Sequence, residues 1–257
     1  MKFIKYLLIV TLLATSYSCE ELEDIFGKDS TGLSEKEVVQ GLKTALQVGA
    51  DTSVAVTSAE NGYYKDEVIK ILLPEEAQVI KQYAEDLGLS AEVDKFIESM
   101  NRAAENAASE ASPIFSDAIT SLSISDGWDI LNGKNPANSN TESEFDSSAA
   151  TQYLVSTTYT SLDSAFQPKI EKSLDKDLVG SSSTNEIWED ITTTYNAVAY
   201  LYGGDEINTD LDEYVTEKAL DGLFHKVGKE EIKIRRDPLQ WIDAQVGDIL
   251  KKVFDSQ

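Results

Sequence analysis

The chain has 257 residues, of which 46 are acidic and 22 are Lys or Arg, giving a formal net charge of −24. Nucleic-acid phosphates repel so acidic a chain, because their binding depends on basic residues displacing counterions. A hydrophobic content of 41% excludes disorder, one cysteine excludes an internal disulfide, and one histidine excludes every site that needs two.

Residues 1–18 read as a lipoprotein signal. Lys2 and Lys5 supply the positive start, Tyr6 to Ala14 form an apolar stretch of nine, and the small residues Ser16 and Ser18 precede Cys19. Nine apolar residues fall short of the about 20 that span a bilayer as a helix. Ser16-Tyr17-Ser18-Cys19 resembles a lipobox, with Ser16 where Leu is usual; an ordinary secretory signal with an incidental cysteine is the alternative. On the lipobox reading Cys19 carries acyl chains, two or more of which anchor stably, and no free thiol remains. Glu20, Glu21, Glu23 and Asp24 follow. That run resembles the signal that sends lipoproteins of the Bacteroidota to the cell surface, or is a solvated tether. Residues 19–33 are thus expected to form a flexible acidic tether, reaching roughly 20 Å from an outer membrane, on its periplasmic or surface face.

From Ser34 the period is helical. Ser34 and Glu37 make a capping box, followed by a stripe of Val38, Leu42, Ala45, Leu46 and Gly49. Pro74 opens a helix that Gly88 ends, and Ser90 caps the next, with Val93, Phe96, Ile97, Met100, Ala104, Ala107 and Ala111 on its face. The alanines from 103 to 111 predict a central helix that a neighbour approaches closely. Residues 134–148 read as an exposed loop. Helix resumes over Ala149–Leu174 and Glu186–Leu201, with an interruption around Gly180 to Ser183. Asp210 opens a last long helix that Pro238 ends or kinks, and a short one runs from Leu239 to Phe254. No sustained strand alternation occurs. The expectation is an all-α, single compact multi-helix domain, residues 34–257, after the tether.

Met100-Asn101-Arg102-Ala103-Ala104-Glu105, Pro113-Ile114-Phe115 and Ile130-Leu131-Asn132-Gly133 occur in that order. Tyr214 to Phe224 (YVTEKALDGLF) and Ile234-Arg235-Arg236-Asp237-Pro238 follow. Together they closely resemble the bacterial family called domain of unknown function 4197, from about Gly41 to Phe254, with expansions at 134–148 and around 178–208. The resemblance implies a helical, exported protein and implies no activity.

Several constellations bear on chemistry. Asp221 and His225 share a helix face, yet no nucleophile motif accompanies them. Arg102 with Glu105, Lys218 with Asp221, and Arg235 are candidates for a binding or structural polar network; simple i,i+3 and i,i+4 pairing is the alternative. Asp175, Asp177 and Glu186 fall at positions 1, 3 and 12 of a near-match to an EF-hand calcium loop, spoiled by Val179 at position 5 and Ser182 at position 8; a Gly/Ser-rich turn is the alternative. Lys226, Lys229, Lys233, Arg235 and Arg236 form the one basic run, suited to lipid phosphates or an acidic partner, or simply a solvated helix face. No cofactor and no catalytic residue is indicated. The functional expectation is a lipid-anchored envelope protein, a non-enzymatic binding module with an interhelical groove for a partner protein or a small apolar ligand. The alternative is an envelope hydrolase that uses a carboxylate pair.

Overall fold

The structure is a computed structural model that describes residues 34–137, 145–179, 181–202, 205–208 and 210–255. The signal, Cys19 and the tether lie outside the described residues. Helix α1 (Glu35–Thr57) starts at the expected box: Ser34 Oγ accepts from Glu37 N at 3.3 Å, and Glu37 Oε2 accepts from Ser34 N at 3.0 Å. Its buried stripe is the one the period marks, Val38, Leu42, Ala45, Leu46 and Gly49. Residues 58–74 then form an irregular strap. A 3₁₀ turn (Glu75–Ala77) leads into α2 (Gln78–Asp86), so Pro74 precedes a tighter turn than the α-helix expected there. Gly88 follows at φ +81°, a conformation that favours glycine.

Helix α3 (Ser90–Ala108) begins with Ser90 as a helical residue rather than its cap; Leu89 precedes it without a side-chain cap. Helices α4 (Ala111–Ser121) and α5 (Ile124–Leu131) follow, the latter started by a Ser123–Asp126 capping box. Helix α6 (Ala149–Leu174) has the bounds that its sequence pattern gives. A two-stranded antiparallel hairpin, β1 (Asp177–Val179) and β2 (Ser182–Ser183), precedes α7 (Thr184–Tyr202). Asp210 accepts from Glu213 N at 2.9 Å and starts α8 (Leu211–Arg236). The final helix is broken in two, α9 (Pro238–Trp241) and α10 (Ala244–Phe254), because Ile242 is extended and Asp243 caps a new start.

Helices α6 and α8 pack together at the centre, with α3 against α6 and α1 against α8. Close approach comes from small residues: Ala103, Ala104, Ala107, Ala108 and Ala111 are fully buried. Phe115 on α4 meets Phe224 on α8 edge to face at 5.9 Å. Helix α1 runs antiparallel to α8. A Cβ at Gly49 would stand 3.5 Å from Glu230 and Ile234, whereas Tyr63, beyond the end of α1, reaches back to Ala219. At the other end of α1, Gly41 faces Val246 and Ile249 of α10. No helix among the described residues is long and apolar enough to cross a membrane.

Candidate functional site

The strap carries few backbone hydrogen bonds of its own, so side chains from α3 and α8 supply its partners. Glu105 Oε1 accepts from Tyr63 N and Tyr64 N, both at 3.1 Å. The Tyr63 hydroxyl donates to Ala219 O at 2.6 Å. Burial, with the Glu105 carboxylate nearby, pushes that phenol well above its ordinary range. Its ring lies over Gly222, where a Cβ would meet Tyr63 Cε1 at 2.6 Å, so only glycine fits without a shift. Asn101 brackets Ile71, donating to its carbonyl and accepting from its N–H at 2.8 Å each. Tyr214 donates to Leu72 O at 2.8 Å, and Lys226 pairs with Asp66. A second bracket holds the connection before α8: Asn196 donates to Ile207 O and accepts from Ile207 N, both at 2.8 Å. Trp188 donates to Asn208 O at 3.1 Å beside it.

Between these fastened edges lies an open groove of about 1220 Å³. Its floor and one wall are mainly apolar, with Ile69, Ile71, Leu73 and Ile207 interspersed with Lys70, Glu75 and Glu206; Val68 and Leu72 are exposed along it at 62% and 53%. The other wall is the outer face of α8, with Glu213, Glu217 and Asp221. Lys218 lies among them, its Nζ 3.5 Å from Glu217 and 3.4 Å from Asp221. Partial burial opposes the Lys218 charge, but the two carboxylates outweigh it and hold the ammonium above its usual range. His225, also on this wall, is pushed below its ordinary value by partial burial and by Lys229 and Lys226.

The predicted polar residues occupy three places rather than one. Arg102 and Glu105 pair at 2.6 Å beneath the strap. Lys218 and Asp221 line the groove. Arg235 sits at the other end of α8, where its guanidinium bonds Glu231 at 2.9 Å and donates to Ile130 O at 3.0 Å. Glu231 is the residue that the sequence reading missed. It accepts from Ala150 N at 3.1 Å and Thr151 N at 2.8 Å, and from Thr151 Oγ1, which satisfies free donors at the start of α6. Its signal was present: Val227, Glu231 and Ile234 share one helical face, so a carboxylate stands at a core position. Asn101, Glu105 and Ala108 repeat that pattern on α3.

The calcium-like spacing folds differently. Asp177–Val179 and Ser182–Ser183 pair as the hairpin, and Glu186 is engaged in a reciprocal box with Ser183, accepting its N–H at 2.9 Å. Asp175 instead accepts from Asn185 at 2.8 Å. Among the described residues no group of three or more His, Cys, Asp or Glu is placed to hold a metal. A smaller cleft near the hairpin contains Asp175, Asn185, Asp210 and Asp212. Burial raises the Asp212 carboxyl, the Asn185 hydrogen bond opposes this, and Asp210, Glu171 and Asp175 add to the rise.

A family model described as Protein of unknown function (DUF4197) matches residues 32–255. Comparison with curated proteins and with solved structures found no match.

Proposed function

The chain belongs to the DUF4197 family, and we propose that it is a lipid-anchored cell-envelope protein whose groove binds an extended cationic segment of a partner protein. The groove carries this reading. Its volume of about 1220 Å³ exceeds the roughly 300–1,000 Å³ of small-molecule pockets. One wall offers apolar side chains and the other carboxylates, a match for a peptide that alternates apolar and basic residues. A small apolar ligand would leave Glu213, Glu217 and Asp221 with only Asn208 and the single cation Lys218 to share. In the same reading residues 1–18 are a cleaved signal, Cys19 carries the acyl chains, and residues 19–33 are the tether.

Titration with a Lys-Leu repeat peptide, followed by calorimetry, tests the groove. Glu217→Gln with Asp221→Asn is expected to weaken binding about ten-fold at low salt and to flatten its salt dependence, with thermal stability unchanged because both side chains are exposed. Equal affinity for the double variant sinks the reading; tight binding of a neutral apolar compound in the groove would favour the small-ligand form. Cys19→Ala tests the anchor: release from membranes is expected, and retention refutes acylation at this residue. A hydrolase reading has one observation behind it, the raised Asp212 carboxyl in the cleft near the hairpin. Activity on an envelope substrate that Asp212→Asn abolishes would move the function there.

A further inference from the structure

The exposed stripe of α8 changes sign along its length. Glu213, Glu217 and Asp221 stand on its first half, and Lys229, Ile232 and Arg236 on its second. Ile232 is 55% exposed, and the turn into α9 adds Leu239 at 42% and Trp241 at 39%. The Lys233 ammonium lies 5.2 Å from the centre of the Trp241 ring. An indole and branched aliphatic side chains fringed by cations match the chemistry of a bilayer surface. The indole suits the headgroup level, the aliphatic groups the acyl boundary, and the cations the phosphates.

The direction of the chain places this patch next to the tether. Because α1 is antiparallel to α8, and Gly41 faces Val246 and Ile249 of α10, Ser34 lies at the same end as Arg236 and α10. Residues 19–33 therefore join the folded body at its basic end, and the acidic groove lies toward the opposite end of α8. The nearest groove carboxylate and contact cation, Asp221 and Lys229, are separated by about 12 Å along the helix axis, at 1.5 Å per residue. Screening acts over about 8 Å at physiological salt, so the groove carboxylates do not cancel attraction at the basic end. Of the local acids, Glu230 is paired with Lys233 and Asp255 with Lys251. Glu35, Glu37, Asp237, Asp243 and Asp248 stay exposed, so the contact is weak alone and gains from the high local concentration that a tether imposes.

We propose that Lys229, Ile232, Arg236, Leu239 and Trp241 rest against anionic phospholipid headgroups, with the groove toward the far end of α8. The proposal takes its tether from the anchored reading, but the contact belongs to the folded domain. The full acylated chain, reconstituted in phosphatidylcholine vesicles with or without phosphatidylglycerol and with brominated acyl chains, tests it. Trp241 emission is expected to be quenched at least three-fold more in the anionic vesicles, and Trp241→Phe separates its signal from those of Trp128 and Trp188. Lys229→Glu with Arg236→Glu is expected to abolish the difference, at roughly five-fold per charge in the contact equilibrium, and high salt to reduce it. Equal quenching in the two vesicle types, or quenching that survives the charge reversal, overturns the proposal. Flotation of wild type against Cys19→Ala scores the anchor separately. Unacylated chain added to the same vesicles still reports the contact through Trp241.

Discussion

Glu105 and Glu231 collect the same set of partners at two different places in the molecule: two consecutive backbone N–H groups and an arginine of their own helix. Glu105 is 4% exposed and holds the strap, whose own backbone hydrogen bonds are few. Its partner Arg102 is 28% exposed at the side chain and is shared with Glu98 and Asn61. Glu231 is 8% exposed and holds the first turn of α6. Its partner Arg235 is only 13% exposed, lies between the Phe145 and Phe254 rings, and has a buried Nη1 without a hydrogen-bond partner among the described residues. The comparison shows that what surrounds an ion pair, rather than its geometry, sets the cost of breaking it. Arg102 already bonds a second carboxylate and is more open to water than Arg235.

Glu231→Ala is therefore expected to be the most damaging change, about 3–5 kcal/mol, because it strands a buried cation. Glu105→Ala is expected to cost less, about 2–3 kcal/mol, mainly through the two strap N–H groups. Urea unfolding measures both, and equal losses would erase the distinction. Glycines on α8 sharpen it further. Gly222→Leu pushes into Tyr63 and should destabilise by about 1–3 kcal/mol or more through overpacking. Gly228 is different: an added Cβ would lie 3.7 Å from Thr151, an ordinary contact. Gly228→Ala should thus stabilise by about 0.5–1 kcal/mol through helix propensity. Unchanged thermal stability in Gly222→Leu would refute the close approach to the strap.

The smallest effect is an acid one. Burial works against the Asp66 carboxylate, but the Lys226 hydrogen bond and the Val68 and Ile69 N–H groups outweigh it and lower its pKa. At Asp146, near the start of α6, the Ser148 hydroxyl leads the same downward shift. A carboxylate depressed in the folded state contributes stability that is complete above its unfolded value of about 3.9 and is lost as pH falls through the lower folded value. The strap and the entrance to α6 should both loosen below about pH 4, measured by backbone amide exchange corrected for intrinsic rates. Asp66→Asn should remove the effect at Val68 and Ile69 alone. Loss of protection at both places in that variant would mean a global transition.

Much of the helical layout was legible because it depends on local signals. The Ser34 box, the alanine face of α3, the bounds of α6 and the Asp210 cap are all short-range features. The break at Ile242 was missed because Pro238 signals one helix start, although Asp243, a favoured N-cap residue, marks the second. The site was less readable. Glu230 and Glu231 are adjacent and chemically identical, yet one pairs with Lys233 on its own helix and the other caps a helix 80 residues away. Family-motif residues that look reactive, Asn101, Arg102, Glu105 and Arg235, are fastening groups. Asn101, Glu105 and Arg235 bond backbone atoms, which leave no mark in a sequence, and Arg102 pairs with Glu105. The groove itself is formed by segments around residues 70, 207 and 217, which only the packing of α3, α7 and α8 brings together.

The Tyr63 hydroxyl and the Ala219 carbonyl are 156 residues apart in the chain. At a synthesis rate of about 5–20 residues per second, the strap waits on the order of 8–30 s before its acceptor exists. During that interval the apolar stripe of α1 can meet α4 and α5 but not its main neighbour, α8. Contacts this distant raise contact order and slow folding, so the body closes late, on the arrival of α8. A chain interrupted before Gly222 would keep α1 without its main neighbour, a ready substrate for chaperones and proteases.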